Sequence, residues 1–250
     1  MLDIARYACS DLHGRYDLAE QVIAHLNPSD TLYFLGDAID RGPSSWDTLM
    51  LLLTYPQVEF FLGNHEDFLC KAHHEERTSV ILDRYQYLHS DVPQIWFSNG
   101  GEEMIKKCAD LRERDPETLQ LILSLLDVAH VEEIITNDRG QNLHLTHAGY
   151  NPGRRPWSKD ELIWHRSHIY RDWPKDPAYE NIYMIHGHTP INSINDYDET
   201  RKVSDGPLFY CSSHKIDIDL CSAFYGWTTM LNLDTFEFIN IEGDHQYDLR

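Results

Sequence analysis

Short apolar runs alternate with helical patterns over the first 65 residues of the chain. Buried strands are predicted at 4–9, 31–35 and 58–62, and apolar residues at helical spacing predict helices around 18–26 and 46–53. Strands that alternate with helices form right-handed βαβ units, so we expect an α/β fold with a parallel core sheet covered by helices. Polar residues follow each strand and should meet at the carboxyl edge of the sheet, where such folds place ligands.

The pattern changes after the third strand. Residues 66–130 are mostly helical by their spacing and interrupt the alternation, which predicts an inserted helical cap. Two runs at 131–136 and 143–146 flank an Asp-Arg-Gly turn and predict a hairpin. Later strands are expected at 182–185, 216–220, 228–233 and 236–241, with more antiparallel pairs than in the first half. We predict a single domain over residues 1–250, with the cap inserted in it.

Composition narrows the classes of function. Asp and Glu number 41 against 21 Lys and Arg, and a net charge of -20 disfavours an extended nucleic acid partner. Apolar runs stay well short of the roughly 20 residues that cross a bilayer, and the N-terminus lacks the features of a signal peptide, so we predict a cytoplasmic protein with no membrane partner. The 5 cysteines show no disulfide or C-x-x-C pattern. A phosphorylated substrate stays possible if bound cations reverse the local charge.

Five polar segments, each after a predicted strand, carry the candidate chemistry. They are Asp-Leu-His-Gly at 11–14, Gly-Asp-Ala-Ile-Asp-Arg-Gly at 36–42, Gly-Asn-His-Glu at 63–66, Thr-His-Ala-Gly at 146–149 and His-Gly-His-Thr-Pro at 186–190. Singly, each has an ordinary explanation as a turn or as a core histidine. Together they supply oxygen and imidazole ligands suited to divalent ions, and their number admits two metals.

The five segments in this order resemble the motifs of the calcineurin-like metallophosphoesterases. The complete Asp-Arg-Gly at 40–42 and the Glu66 that follows His65 are similar to the phosphoprotein phosphatase (PPP) branch, particularly its small bacterial and phage enzymes. The stretch Trp-Phe-Ser-Asn-Gly-Gly at 96–101 also resembles the phage-type enzymes, whereas Asp-Leu-Cys at 219–221 replaces the common Asp-Thr-Gly. The resemblance implies a layered sandwich of mixed sheets flanked by helices.

The resemblance also implies a dinuclear metal centre, with manganese as the first choice and iron, zinc or magnesium as alternatives. The implied ligands, of which the second aspartate bridges both ions, are Asp11, His13, Asp37, Asn64, His147 and His188. His65 and Asp40 would form the catalytic pair, with the histidine as general acid. Arg41, Arg166 and Asn64 would bind the substrate phosphate.

The implied reaction is hydrolysis of phosphate monoesters by in-line attack of a hydroxide that bridges the metals. Our main hypothesis is a Ser/Thr-type protein phosphatase, whose substrate is a phosphorylated protein, a phosphopeptide or a small phosphoester. The first alternative is a dinucleoside polyphosphate hydrolase of the diadenosine tetraphosphate type; its symmetrically cleaving members often lack an acid at the position of Asp40, which favours the phosphatase. The second alternative is a non-catalytic metal-binding interaction module, which the complete set of site residues disfavours.

Overall fold

The structure is a computed structural model that describes residues 4–76, 91–194, 202–210 and 213–244. Within these ranges the chain forms two five-stranded sheets flanked by helices. The strands are β1 Arg6–Cys9, β2 Thr31–Phe34, β3 Val58–Phe60, β4 Glu132–Thr136, β5 Asn142–Thr146, β6 Ile182–His186, β7 Leu208–Tyr210, β8 Lys215–Asp217, β9 Trp227–Asn232 and β10 Phe238–Glu242. The helices are α1 Tyr16–Ala24, α2 Ser45–Thr54, α3 Asn64–Glu76, α4 Asp91–Ser98, α5 Glu102–Arg114, α6 Pro116–Asp127, α7 Lys159–Trp164 and α8 Ser222–Tyr225.

The first sheet has the strand order β10-β9-β1-β2-β3. Its centre is the predicted parallel unit, because β1 pairs with β2 and β2 with β3 in parallel, with Phe34 opposite Cys9 on one side and Phe60 on the other. The strands β9 and β10 extend it by antiparallel pairing. Leu18 of α1 and Leu49 of α2 are fully buried in the core cluster that includes Phe34, so these helices cover one face of the sheet.

The second sheet has the order β4-β5-β6-β8-β7. The hairpin of β4 and β5 is present as predicted, and β6 pairs in parallel with both β5 and β8. The sequence pattern did not predict β7, which has only three residues. The strand β10 begins two residues later than expected because Phe236 adopts a positive φ of 60° and ends the preceding turn. The strand β8 ends at Asp217, earlier than expected, since that carboxylate accepts the backbone N–H of Asp219 and turns the chain.

An apolar layer between the sheets joins them. Its fully buried members include Ala8 and Leu35 from the first sheet and its loops, and Leu145, Ile185 and Ile216 from the second. Burial of each leucine or isoleucine side chain in this layer contributes about 1.5–3 kcal/mol. The layer brings the loops that follow strands of both sheets to one edge of the molecule.

Four helices, α3 to α6, lie between β3 and β4 in the described part of the chain, so the insertion is helical as predicted. It begins at Asn64, because the polar segment after β3 already forms the first turn of α3. The four buried positions of α6 are the predicted apolar stripe, namely Leu119, Ile122, Leu123 and Leu126. No helix within the described ranges combines the length and the apolar character needed to cross a membrane.

Candidate metal centre

Backbone hydrogen bonds join the loops that follow β1 and β2. The N–H of Asp11 donates to the carbonyl of Gly36 at 3.0 Å, and the N–H of His13 donates to the carbonyl of Asp37 at 2.9 Å. The N–H of Gly42 returns to the carbonyl of His13 at 2.9 Å. These bonds fix the predicted site residues of both loops relative to each other.

Six of the predicted site residues adopt the left-handed backbone region. Their φ values are 55° at Asp11, 46° at His13, 60° at Asp37, 72° at Asp40, 68° at Arg41 and 67° at His188. Residues other than glycine enter this region at a cost of about 1 kcal/mol or more each, and they persist where surrounding contacts hold them. Such a concentration of strained residues on one edge is typical of a functional site.

One group of side chains, here the first cluster, consists of His13, Asp37 and His65. One ligand atom from each lies within 4.8 Å of the others, and all three residues are buried. Oδ2 of Asp37 lies 3.6 Å from Nε2 of His13 and 3.9 Å from Nε2 of His65. The three residues lie in the segments that follow three neighbouring strands of the first sheet, His65 in the first turn of α3.

The second cluster consists of Asp37, His147 and His188 and meets the same distance limit of 4.8 Å. Here the other oxygen of Asp37, Oδ1, lies 3.4 Å from Nε2 of His147. Oδ1 of Asn64 lies 3.0 Å from the same nitrogen. Asp37 thus offers one oxygen to each cluster, as a carboxylate that bridges two cations would.

The imidazole rings are oriented as metal ligands usually are. Nδ1 of His13 donates to the carbonyl of Ile39 at 2.9 Å, and Nδ1 of His147 donates to the carbonyl of Leu35 at 2.7 Å. In His188 the ring nitrogen Nε2 makes this bond, to the carbonyl of Trp164 at 3.2 Å. A histidine whose one nitrogen donates to a carbonyl keeps the other nitrogen for a metal. The donor set therefore fits divalent cations.

Burial and neighbouring charges set the protonation of the clusters. Burial, together with Arg41 and His65, holds the pKa of His13 well below its usual value. Burial also lowers the pKa of His147, but Asp37 outweighs this and raises it to about 9. The pKa of Asp37 is held well below its usual value, because the histidines around it outweigh its burial. A buried imidazolium against a carboxylate marks a position that favours positive charge, and a metal would displace its proton.

Asp11 and Arg166 border the second cluster. Oδ2 of Asp11 accepts the backbone N–H of His188 at 2.9 Å and the hydroxyl of Ser10, while its Oδ1 lies 3.9 Å from Nε2 of His13. Burial raises the pKa of Asp11 to about 6. Arg166 is exposed, and its guanidinium donates to the carbonyl of His188 at 3.1 Å.

The predicted catalytic pair is in contact. Nδ1 of His65 lies 2.6 Å from Oδ2 of Asp40, and both side chains are fully buried. Burial raises the pKa of Asp40 in spite of its bond to His65. Arg41 extends over the pair, because its guanidinium donates to Nε2 of His13 at 2.6 Å and to Nε2 of His65 at 3.1 Å. All ten predicted site residues therefore lie on one edge of the molecule.

Comparison with protein families identifies this architecture. The family model described as calcineurin-like phosphoesterase matches residues 6–222. The chain belongs to the calcineurin-like phosphoesterase family. Members are phosphoesterase hydrolases with a dinuclear metal centre, and the predicted resemblance and fold are confirmed.

Similar proteins carry the names of different activities. Serine/threonine-protein phosphatase 2 of Escherichia coli is 26% identical over 201 residues, which cover 76% of this chain and 82% of that protein. The symmetrical bis(5'-nucleosyl)-tetraphosphatase of Pseudomonas entomophila is 30% identical over 168 residues, which cover 63% of this chain and 59% of that protein. A protein serine/threonine phosphatase from Saccharomyces cerevisiae shares the fold with a TM-score of 0.55, at 15% identity over 97% of this chain and 80% of the other.

Glu66 is a residue of this calcineurin-like site whose role the sequence did not reveal. Its buried carboxylate accepts four backbone N–H groups, those of Asp37 at 2.9 Å, Ala38 at 2.8 Å, Gly63 at 3.0 Å and Ile39 at 3.3 Å. Burial and the nearby Asp37 raise its pKa to about 7. Its hydrogen bonds connect the loop after β2 to the start of α3. In the sequence, only its position in the Gly-Asn-His-Glu segment at 63–66 indicated a role.

Two further acids were not predicted as site residues. Asp217 and Asp219 are buried at the end of β8, and burial raises the pKa of both well above the usual value. The charge of Asp11 contributes to both shifts, so these acids lie in the electrostatic field of the site. Their sequence signal was weak, because this segment departs from the family pattern.

Proposed function

We propose that this chain is a metal-dependent phosphatase that hydrolyses phosphate monoesters and is of the Ser/Thr protein phosphatase type. The observation that carries the proposal is the buried pair of His65 and Asp40, joined at 2.6 Å, with the histidine in the first cluster. A histidine oriented by a buried carboxylate and facing a charged site suits proton transfer to a leaving group. The family match and the phosphatase-named relative support the same activity.

The metal ligands are assigned in the same proposal. One divalent ion would bind Asp11, His13 and Asp37, and the other would bind Asp37, Asn64, His147 and His188, with manganese as the first choice and iron, zinc or magnesium as alternatives. When bound, the ions would supply Lewis-acid activation of water and of the phosphoryl oxygens. His65 also lies close to Asp37, but its Nδ1 partner is a carboxylate, whereas a carbonyl holds each of the three assigned histidines.

The chain itself binds the phosphate and handles the proton. Arg41 contacts His13 of the first cluster and Arg166 contacts His188 of the second, so each cluster has a guanidinium group next to it. Each presents a planar fork to phosphate oxygens, and Asn64 adds an amide. When the guanidinium of Arg41 turns from Nε2 of His65 to the phosphate, that nitrogen can hold a proton for the ester oxygen, while Asp40 stabilises the protonated ring through Nδ1.

Hydrolysis of a dinucleoside polyphosphate is the second candidate. The relative from Pseudomonas entomophila, which carries that activity in its name, supports it. A competition between a phosphoserine peptide and diadenosine tetraphosphate, both with manganese, separates the two candidates. We expect the peptide to show the higher kcat/KM, and a higher kcat/KM for the dinucleotide would overturn the phosphatase proposal.

A non-catalytic module is tested with a direct assay. The wild-type chain with manganese is expected to hydrolyse a phosphoserine peptide, and His65→Asn is expected to lower kcat by about a hundredfold, the scale of general acid catalysis. His25→Asn is the matched control, because His25 is exposed at the end of α1. No turnover by the wild-type chain would favour the module, and equal rates in His65→Asn would refute the assigned role of His65.

A further inference from the structure

Trp96, in the helical insertion, reaches the catalytic pair. Its indole Nε1 donates to Oδ2 of Asp40 at 2.6 Å, the same oxygen that contacts Nδ1 of His65. The tryptophan is only 2% exposed. The other oxygen of Asp40, Oδ1, is buried and has no hydrogen-bond partner among the described residues. The contacts that orient this carboxylate therefore converge on one oxygen, and the insertion supplies one of them.

The insertion contacts the same loop at two more points. The carbonyl of Gly100 accepts the backbone N–H of Arg41 at 3.4 Å. The carboxylate of Glu103 accepts the backbone N–H of Ser45 at 3.2 Å, and the hydroxyl of Ser45 in turn accepts the backbone N–H of Asp40 at 3.0 Å. The turn between α4 and α5 and the first turn of α5 thus form hydrogen bonds to the loop that carries Asp40 and Arg41.

Close approach at this turn requires glycine. Gly100 has a φ of 93°, and a Cβ on it would lie 2.8 Å from the backbone nitrogen of Arg41. A Cβ on Gly101 would lie 2.5 Å from Cδ1 and Nε1 of the Trp96 indole. Gly100 therefore allows this turn to approach the backbone of Arg41 closely, and Gly101 leaves room for the indole of Trp96.

We propose that Trp96 is a positioning residue for proton transfer, so that the helical insertion completes the active site. This inference rests on the proposed function, in which the proton on Nε2 of His65 passes to the ester oxygen as its bond to phosphorus breaks, leaving an alcohol and a neutral imidazole. The indole N–H holds Oδ2 of Asp40 against Nδ1 of His65 and so keeps the ring in line for that transfer. Small errors in such alignment cost rate even when every reacting group is present.

The inference predicts a dependence on the leaving group. A phosphoserine ester leaves as a strongly basic alkoxide unless it is protonated, whereas para-nitrophenyl phosphate leaves as a stable phenolate that needs little help. A defect in the alignment of His65 lowers kcat for the first substrate and spares the second. A general loss of folded enzyme lowers both equally. The ratio of the two rates therefore separates positioning from stability.

The test uses Trp96→Phe in the full chain with manganese. This change removes the indole N–H and keeps an aromatic ring, and we expect kcat to fall about tenfold for the phosphoserine peptide and less than about twofold for para-nitrophenyl phosphate, with little change in KM. Trp173→Phe is the matched control, because Trp173 is buried and its Nε1 donates to the carbonyl of Tyr179 at 3.0 Å, away from Asp40. The control is expected to retain the wild-type ratio.

Gly101→Ala provides a second variant if Trp96→Phe does not fold, since its methyl group would overlap the indole and displace it. It is expected to show the same selective loss. Equal losses for both substrates in the variant that folds would overturn the positioning role. His65→Asn is measured in parallel: if it fails to discriminate between the substrates, the proposed function falls and this inference falls with it. If His65→Asn discriminates and neither of the other variants does, only this inference is refuted.

Discussion

The two clusters that share Asp37 are held in place by different forces. The residues of the first cluster directly follow three neighbouring parallel strands, and short backbone bonds such as that from His13 to the carbonyl of Asp37 fix them. The second cluster combines both sheets and depends on the apolar layer between them and on the bond from His147 to the carbonyl of Leu35 at 2.7 Å. Local backbone geometry therefore builds one cluster, and tertiary packing builds the other.

Asp37→Asn should break both clusters at once and have the largest effect. The substitution keeps the shape but removes the charge that faces His13 through Oδ2 and His147 through Oδ1. We expect a loss of about a thousandfold in kcat with a phosphoserine peptide, and a loss of bound manganese, because the bridging ligand is gone. Asp138→Asn is the control, since that side chain is 86% exposed. Unchanged rate and metal content would contradict the shared role of Asp37.

The difference between the clusters also explains what the sequence could predict. Polar residues after apolar strands identify Asp11, Asp37 and His188, because strand pattern and sheet topology alone bring such loops to one edge. Hydrogen bonds over long sequence separation leave no such pattern. The bond from Trp96 to Asp40 spans 56 residues, and the bonds from Glu66 to the loop after β2 span 27 to 29 residues.

The parts of the fold that the sequence did not predict have similar causes. The predicted strands and the stripe of α6 follow from periodicity, which local burial imposes. The strand β7 has three residues and pairs only with β8, so a periodic signal could not form. The left-handed φ at Asp40 and Arg41 depends on contacts from other segments, and neither residue type predicts it. The division into one domain stays a prediction.

Glu66→Gln should weaken the connection between the loop after β2 and the start of α3. The amide of glutamine would turn a donor toward N–H groups that the carboxylate accepts, including those of Asp37 and Gly63. We expect the free energy of unfolding to fall by about 2–3 kcal/mol, the cost of leaving buried donors without partners. Urea unfolding of the metal-free chain measures it. Glu113→Gln, on an exposed position of α5, should stay within about 0.5 kcal/mol of wild type. Equal stability of both variants would show that Glu66 does not join the loops.

Acid should weaken the side of the molecule that carries the second cluster. His168 and His186 are fully buried beneath the loop of His188, with their Nε2 atoms 3.3 Å apart. Burial, with the neighbouring His186 and Lys215, holds the pKa of His168 well below its usual value, and burial lowers that of His186 to about 4. The folded protein therefore keeps both rings neutral while the unfolded chain binds protons below its pKa of about 6.5.

These two histidines thus contribute stability at neutral pH that is lost as the pH falls below about 6.5. A difference of one bound proton between the unfolded and the folded chain changes the free energy of unfolding by about 1.4 kcal/mol per pH unit. The free energy of unfolding, measured with urea, should fall with pH between 6.5 and 5. We expect His168→Gln to make this fall smaller by about 1 kcal/mol per pH unit. His25→Gln, on an exposed position, should keep the wild-type slope. Parallel slopes in wild type and His168→Gln would contradict the neutral state of His168.

The smallest expected effect concerns Cys221, in the loop that follows β8. Cys221 adopts φ 59° and ψ 49°, a left-handed conformation, at the position where the resembling enzymes commonly carry glycine. Its backbone N–H donates to Asp219 at 2.8 Å, so the conformation is held rather than free. Cys221→Gly should relieve the strain and raise the free energy of unfolding by about 0.5–1 kcal/mol, net of the greater freedom of glycine in the unfolded chain.

Cys221→Ala separates backbone strain from the thiol, because alanine keeps the Cβ and removes the sulfur. Thermal unfolding should show a gain for glycine and none for alanine, with kcat unchanged in both. A gain in both variants would assign the cost to the thiol instead. Since this loop follows a strand of the second sheet, relief of its strain should leave the backbone bonds between the loops of Asp11 and Asp37 intact. The ion assigned to Asp11, His13 and Asp37 should therefore bind as before.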